Sequence, residues 1–222
     1  MNIDLVIFDM DGVIFEGHNF WLDLHRAMGT EADAWRLWHS LGRTDYARLG
    51  TVTVEELWRG RSAAPFFDLI AARRYVPGVF EVFGWLREQA VRTAIVSTGP
   101  YQLAERAQKD LNIDRISANR VDIADGHFAG TVDILVDENR KDQAALEVMS
   151  DFGVTRERTA MVGDAASDVG MAEVVALPIA YDASDPALVA AARAVLPAGQ
   201  LAKVVDILSS WPATQAHLPH TA

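Results

Sequence analysis

The chain has 222 residues and no cysteine, with a formal net charge of −11 and a pI near 4.9; half of its residues are hydrophobic and 23% are charged. This composition suits a globular protein with one core domain and a modest insertion, or with two small domains. The acidic balance would repel polyanions and excludes nucleic acid as a partner, and the lack of cysteine excludes disulfides, thiolate catalysis and Cys-based zinc sites.

The first predicted element is a buried strand at residues 3–8 (IDLVIF), a short, continuous run of apolar residues. The surrounding N-terminal stretch, MNIDLVIFDMDG, has no basic segment typical of a signal peptide. Nowhere does an apolar run approach the roughly 18 residues that a membrane span requires. We therefore expect a cytoplasmic protein without a membrane partner, as a monomer or homodimer.

Residues 16–76 have helical spacing in the segments NFWLDLHRAM, EADAWRLWHSL and VEELWRG. This block interrupts the alternation of strands and helices directly after the first strand, so we interpret it as an inserted helical cap. Its four tryptophans are expected to form the core of the cap rather than a stacking platform for a ligand. They are Trp21, Trp35, Trp38 and Trp58.

After the cap, strands and helices alternate. Helices are predicted at 77–89, 101–111, 141–152 and 200–211, strands at 92–97, 159–163 and 174–181, and a β-hairpin or flap at 120–136 around Asp125-Gly126. This alternation predicts an α/β fold, a Rossmann-like parallel sheet with helices on both faces. The expected domains are a core of residues 1–15 and 77–210, the cap of 16–76, and a flexible tail at 211–222.

Two acids, Asp9 and Asp11, follow the first strand. Alternate residues of an extended strand share a face, and ligands of open α/β sheets bind at the carboxyl ends of the strands. Neighbouring carboxylates raise each other's pKa unless a cation lies between them, and Mg²⁺ is the oxygen-seeking cation that also suits phosphate. The alternative is the start of a calcium loop, but Val13, Phe15 and Phe20 stand where that loop needs oxygen ligands.

Polar residues follow the later strands as well. Ser97 and Thr98 combine a hydroxyl with a small-residue turn that suits an anion, Lys141 opens a helix, and Asp164 and Asp168 lie in GDAASD. Together these residues predict a site for a metal-bound phosphoryl group. Taken singly, the serine could cap the next helix, the lysine could be a solvated surface residue, and the two acids could cap the helix that begins near residue 167.

In their order and spacing, FDMDG, IVSTG, Lys141 and VGDAASD resemble the four motifs of the haloacid dehalogenase superfamily, over residues 3–15 and 77–208. The stretch ISANRVDIADGHFAGTVD is similar to the phosphoserine phosphatase branch, whose members also carry a small helical cap. The resemblance implies that Asp9 attacks phosphorus and forms an aspartyl-phosphate, while Asp11 serves as general acid and then general base. An acid at Asp11 argues against alkyl-halide displacement, because a halide needs no proton to leave.

The same resemblance implies a Mg²⁺ ion held by the Asp9 carboxylate, the Asp11 backbone carbonyl and the Asp164 carboxylate. Asp168 would support these ligands or Lys141. Ser97, Thr98 and Lys141 would hold the phosphoryl oxygens.

A small phosphorylated metabolite is the expected substrate, with phosphoserine as the first guess. The candidate substrate contacts are Glu16, His18 and Arg61. The chain departs from the phosphoserine phosphatase pattern at Gly12-Val13, where Ser-Thr is usual, and at His18, where a glutamate is usual. Glu16 is the acid nearest to that position, and Arg61 is the nearest match to the cap arginine that reads the substrate carboxylate.

Several alternatives remain open at this point. The enzyme could hydrolyse another small phosphomonoester such as a sugar phosphate, or it could be a sugar phosphomutase, since such mutases also begin with D-x-D-G-V. A non-enzymatic phospho-acceptor switch resembling response-regulator receivers would use similar residues around Mg²⁺. The insertion after the first strand and the early D-x-D disfavour the switch.

Overall fold

The structure, a computed structural model, describes residues 2–211. The strands are β1 (Leu5–Phe8), β2 (Arg92–Pro100), β3 (Arg115–Ala124), β4 (His127–Asp133), β5 (Thr159–Gly163), β6 (Leu177–Tyr181) and β7 (Ala194–Leu196). The helices are α1 (Phe20–Ala27), α2 (Glu31–Leu41), α3 (Tyr46–Val52), α4 (Ala64–Ala72), α5 (Val79–Glu88), α6 (Tyr101–Leu111), α7 (Lys141–Phe152), α8 (Val169–Val174), α9 (Pro186–Ala191) and α10 (Val204–Ser210). Shorter helical segments are a π-helix at Thr53–Trp58 and 3₁₀ turns at Arg156–Arg158, Ala166–Asp168 and Leu201–Lys203.

The strands form one seven-stranded sheet in the order β4-β3-β2-β1-β5-β6-β7, parallel throughout except for the antiparallel pair of β3 and β4. Alternate residues of β1 enter two separate apolar clusters. Val6 and Phe8 pack with α5, α6 and α10, whereas Leu5 and Ile7 pack with α7, α8 and α9. Both faces of the sheet are therefore covered, which explains why β1 is apolar at every position. The predicted α/β fold is confirmed.

The predicted hairpin is present as β3 and β4. Asp125 and Gly126 connect the two strands with φ angles of 50° and 73°, and a two-residue hairpin turn with positive φ at both positions matches the twist of the strands. The strand itself starts earlier than predicted, because β3 also pairs with β2 from Arg115 onward. The strand predicted at 174–181 begins later, because β6 starts at Leu177, and the helix predicted at 200–211 splits into a 3₁₀ turn and α10. Helix α9 and strand β7 were not predicted.

The helices between β1 and α5 lie against this hairpin. The backbone N–H of Gly60 donates to Phe128 O at 2.9 Å, and that of Phe128 donates to Arg61 O at 3.0 Å. Trp58 and Phe66 share an apolar cluster with Phe128 and with residues under the sheet. These contacts place the helical block over the carboxyl ends of the strands. The domain boundaries at 15, 76 and 210 stay a prediction, and residues 212–222 of the predicted tail lie outside the described part of the chain.

None of the helices within residues 2–211 is both long enough and apolar enough to cross a bilayer.

Candidate active site

The loop after β1 brings both of its acids to the edge of the sheet. The backbone N–H of Asp9 donates to Val162 O at 2.9 Å, so this residue still lies beside β5. Two residues further on, the backbone N–H of Phe20 donates to Asp11 Oδ2 at 3.0 Å. Gly12 lies between them and Asp164 with φ +79°, and a Cβ there would stand 2.1 Å from Asp164 Oδ2. Only glycine allows the chain to pass this carboxylate so closely.

Lys141 is buried among the acids, with 2% of its surface exposed. Its ammonium lies 2.7 Å from Asp168 Oδ1 and 3.0 Å from Asp9 Oδ1. Burial alone would lower the pKa of this lysine, but attraction to Asp168 and Asp9 outweighs it and raises the pKa above the ordinary value. The ammonium is therefore a fixed positive charge inside the site and not a solvated surface group.

Asp168 uses both carboxylate oxygens within the protein. Oδ1 accepts from Lys141, while Oδ2 accepts from the backbone N–H groups of Asp164 and Ala165 at 2.9 and 3.1 Å. Gly163 leaves room for this, since a Cβ there would lie 2.5 Å from Asp168 Oδ2. The Asp168 side chain makes no capping hydrogen bond to α8. Asp168 thus orients both the lysine and the loop that carries Asp164.

Asp9, Asp11 and Asp164 are buried as well, and one ammonium, that of Lys141, faces this group of acids. Burial, followed by repulsion from Asp168, raises the pKa of Asp9 to about 7, and burial, followed by repulsion from Asp9 and Asp168, raises that of Asp164 to about 8. Burial also raises the pKa of Asp11 against the opposing hydrogen bond from Phe20. Among the described residues, Asp11 Oδ1 is a buried carboxylate oxygen without a hydrogen-bond partner, and the contact of Asp9 Oδ1 is the Lys141 ammonium at 3.0 Å.

This donor set fits a hard divalent cation. Carboxylate oxygens of Asp9, Asp164 and Asp168 lie within 4.8 Å of one another. Since Asp168 already serves Lys141 and two backbone donors, Asp9 and Asp164 are the acids with oxygens to offer. A bound Mg²⁺ would offset the repulsion that raises their pKa values. The buried oxygens therefore suit the metal that the sequence predicts.

Ser97 and Thr98 end the central part of β2 and lie beside the acids. Ser97 is 2% exposed, and its Oγ accepts from the backbone N–H of Gly99 at 3.1 Å. It does not cap α6, which begins at Tyr101 after Pro100. The carbonyl oxygen of Thr98 accepts from Trp21 Nε1 at 2.7 Å. Both hydroxyl-bearing residues line the same cavity as the acids.

That cavity has a volume of about 380 Å³. One end is lined by the predicted site residues Asp9, Asp11, Ser97, Thr98, Lys141 and Asp164. The other end lies between the helical block and the β3–β4 hairpin and is lined by Trp21, Trp38, Tyr46, Trp58, Val132 and Ile134, among others. Of the tryptophans expected in the cap core, Trp58 is 1% exposed, whereas Trp35 is 47% exposed and faces the cavity.

The three candidate substrate contacts behave differently. His18 lines the cavity, with Nδ1 3.2 Å from Asp164 Oδ2. Glu16 does not line it and forms an ion pair with Arg74 at 2.7 Å. Arg61 does not line it either, because its guanidinium donates to Met28 O at 2.6 Å and to Leu57 O at 3.3 Å. The structure therefore brings only the histidine to the site.

Three further residues line the cavity and were not predicted from the sequence: Asn119, Tyr46 and Glu138. Asn119 is 1% exposed. Its Nδ2 donates to Thr98 O and Val136 O, and its Oδ1 accepts from the backbone N–H groups of Leu135 and Val136. These hydrogen bonds connect β3 to the loop before α7. The sequence ISANRVD offered a signal for this role. An asparagine inside a buried strand needs hydrogen-bond partners, which indicates that it holds neighbouring backbone segments together. No local pattern marks the other two.

Comparisons with known proteins agree with this geometry. The family model of haloacid dehalogenase-like hydrolases matches residues 3–175. Phosphoserine phosphatase SerB2 of Mycobacterium tuberculosis is 30% identical over 207 residues, which cover 92% of this chain and 50% of that protein. A phosphoserine phosphatase of Idiomarina loihiensis is 29% identical over 208 residues, covering 92% of this chain and 93% of the relative. The chain thus spans half the length of the first relative and nearly all of the second.

Two solved structures share the fold. A phospho-aspartyl intermediate analogue of phosphoserine phosphatase superposes with a TM-score of 0.78 at 23% identity, covering 93% of this chain and 99% of the other. A HAD family hydrolase from Salmonella enterica serovar Typhi superposes with a TM-score of 0.80 at 18% identity, covering 94% and 72%. The resemblance inferred from the motifs is confirmed.

Proposed function

The chain belongs to the haloacid dehalogenase-like hydrolase family, and on this basis we propose that it is a Mg²⁺-dependent phosphomonoester hydrolase that acts through an aspartyl-phosphate on Asp9. The observation that carries the proposal is the buried Lys141 ammonium, 3.0 Å from Asp9 Oδ1 and 2.7 Å from Asp168 Oδ1. A fixed cation beside a nucleophilic carboxylate holds phosphoryl oxygens where that carboxylate can attack. Phosphoserine is the first substrate to test, because the relatives carry that name.

The chemistry divides one displacement into two. A carboxylate oxygen of Asp9 attacks phosphorus as the bond to the leaving alcohol breaks, and Asp11 donates its proton to the alcohol oxygen. Asp11 then takes a proton from the water that attacks the aspartyl-phosphate, which releases phosphate and restores Asp9. The raised pKa of Asp11 favours a carboxyl group that holds a proton to give.

The metal would be held by the carboxylates of Asp9 and Asp164 and by the backbone carbonyl of Asp11. When bound, Mg²⁺ supplies positive charge that favours the ionised carboxylates and offsets the charge of the phosphoryl group. Ser97 and Lys141 would hold the phosphoryl oxygens, with Thr98 beside them. Asp168 positions the lysine through their 2.7 Å contact.

Phosphate release from a panel of phosphomonoesters tests the proposal. The panel contains phosphoserine, phosphothreonine, sugar phosphates, phosphoglycolate and nucleotides, with Mg²⁺ and with chelator. Asp9→Asn is the matched control, because it keeps the side-chain shape and removes the nucleophile. Borohydride should reduce the trapped acyl phosphate and convert Asp9 to homoserine in a peptide mass spectrum.

Turnover by Asp9→Asn well above background would contradict the mechanism. A phosphomutase would instead transfer phosphate without net release and would need a bisphosphate activator. We expect the enzyme to act in the cytoplasm as a monomer or homodimer, on a small phosphorylated metabolite.

A further inference from the structure

The half of the cavity that would receive the leaving group is apolar and aromatic. It is lined by Trp21, Trp38, Tyr46, Trp58, Val132 and Ile134. The indole N–H of Trp21 donates to Thr98 O at 2.7 Å, and that of Trp58 points to Thr30 Oγ1 at 3.4 Å. Because protein oxygens take up these polar edges, both rings offer the cavity apolar surface.

Helix α2 forms one wall of this space, and protein covers its apolar face only in part. Ala34, Trp35 and Trp38 lie on one face of the helix, and all three line the cavity. No residue of α2 is buried, and Trp35 is 47% exposed. The indole of Trp38 lies over Gly42, where a Cβ would meet the ring at 2.4 Å. A bound apolar group would remove this face from water.

Two polar side chains in this half, Asn119 and His25, make hydrogen bonds within the protein. The amide of Asn119 makes hydrogen bonds to Thr98, Leu135 and Val136. The imidazole of His25 meets Thr30 Oγ1 at 2.8 Å. These contacts use the whole amide of Asn119 and one ring nitrogen of His25.

Among the described residues, Lys141 is the one lysine or arginine in the lining, and the lining histidine His18 has its Nδ1 3.2 Å from Asp164 Oδ2 at the phosphoryl end. Lys141 is paired with Asp9 and Asp168 at the phosphoryl end. Burial lowers the pKa of His25 to about 4, so its ring is neutral at pH 7. No arginine lines the cavity among residues 2–211. Arg61 donates to backbone carbonyls elsewhere, and Glu138 adds a further carboxylate to the lining.

Resting on the phosphatase function proposed above, we propose that the leaving group is a neutral, predominantly apolar alcohol with an aromatic or branched aliphatic body, and not an amino acid. Continuity supports this choice, since the same cavity contains Asp9 and Lys141 at one end and the aromatic wall at the other. A zwitterionic amino acid would lose hydration for its carboxylate and find no lysine or arginine there except Lys141, which Asp9 and Asp168 already pair. An apolar alcohol would bury its body against α2.

The test compares phosphomonoesters of primary alcohols only, so that intrinsic leaving-group reactivity stays similar. Benzyl phosphate and 3-methylbutyl phosphate represent the apolar class, and phosphoserine, glycerol 3-phosphate and 2-aminoethyl phosphate the polar class. We expect kcat/KM for the apolar pair to exceed that for phosphoserine by about 10- to 100-fold. A lead for phosphoserine or for 2-aminoethyl phosphate would overturn the inference while leaving the phosphatase function intact. No phosphate release from any of the five, or from p-nitrophenyl phosphate, would instead contradict the phosphatase function.

A variant pair tests the wall itself. Trp38→Ala should lower the ratio of kcat/KM for benzyl phosphate to that for glycerol 3-phosphate by about tenfold. Since α2 contains no buried residue, this variant should fold. Phe67→Ala is the matched control, because Phe67 is another exposed aromatic of the helical block, 47% exposed, and does not line the cavity. If the ratio is the same in both folded variants, the aromatic wall does not select the substrate.

Discussion

Replacing Lys141 by methionine removes the buried ammonium while keeping most of the side-chain volume. The lysine lies 3.0 Å from Asp9 Oδ1 and 2.7 Å from Asp168 Oδ1, and its side chain is 1% exposed. At an effective dielectric constant of about 20, each contact is worth about 5 to 6 kcal/mol before desolvation. Burying the ammonium offsets much of that gain. Breaking such a buried pair typically costs about 3 to 5 kcal/mol of the free energy of unfolding.

We therefore expect the free energy of unfolding of Lys141→Met to be about 3 to 5 kcal/mol lower than that of the unchanged protein. The measurement is urea unfolding at pH 8 with chelator, followed by tryptophan fluorescence. The loss should shrink as the pH falls. Asp9 and Asp164 have folded-state pKa values of about 7 and about 8, above their unfolded values, so the folded protein takes up protons there before the unfolded chain does. The proton uptake replaces part of the missing positive charge. Turnover should fall by about a thousandfold if, as proposed, this ammonium holds the phosphoryl oxygens.

Lys109→Met is the matched control. Lys109 pairs with Glu105 at 3.7 Å on the surface of α6, and its side chain is 72% exposed. Surface pairs of this kind contribute less than about 1 kcal/mol. If Lys141→Met unfolds at the same urea concentration as Lys109→Met, or keeps substantial turnover, the ammonium does not hold the acids together as described.

Three further predictions concern other positions. Gly12→Ala should lower turnover at least tenfold and lower the free energy of unfolding by more than about 2 kcal/mol, because the new Cβ would stand 2.1 Å from Asp164 Oδ2. Its control is Gly153→Ala, at φ +63° with open space around it, which should cost only about 1 kcal/mol in the same unfolding assay. His25 has its pKa lowered by burial from 6.5 to about 4, so the unfolded chain takes up the proton first as the pH falls. Between pH 7 and pH 5 this residue alone should lower the free energy of unfolding by up to about 2 kcal/mol. With Mg²⁺ present, the free energy of unfolding of His25→Gln should fall less steeply with pH than that of the unchanged protein, and equal slopes for the two would contradict a buried neutral ring. Asn119→Ala should destabilise by about 2 to 3 kcal/mol in urea and lower kcat, because the backbone N–H of Val136 loses its buried acceptor; unchanged kcat would show that this tie does not position Lys141.

Much of the site could be predicted from local patterns. An apolar run that ends in Asp9 and Asp11 signals a buried parallel strand whose carboxyl end carries chemistry. Parallel strands bring their carboxyl ends to one edge, so Ser97 and Asp164 could be expected near that pair, whereas Lys141, the first residue of α7, was expected there from the motif resemblance. The hairpin at Asp125-Gly126 followed from turn chemistry in the same way. These inferences succeeded because backbone geometry and strand period act over a few residues.

Other features depended on contacts between distant parts of the chain. Residue types do not reveal that the Arg61 guanidinium donates to Met28 O. They also do not reveal that both carboxylate oxygens of Asp168 accept hydrogen bonds, one from Lys141 and one from the loop at Asp164, or that Trp38 of α2 lines the cavity. A helical period identifies an apolar face but not its partner. Which surface covers that face is decided when the helical block packs against the hairpin and the sheet. The sequence by itself therefore determined the candidate catalytic side chains and the edge of the sheet where they meet, whereas tertiary packing decided the shape and polarity of the space in front of them.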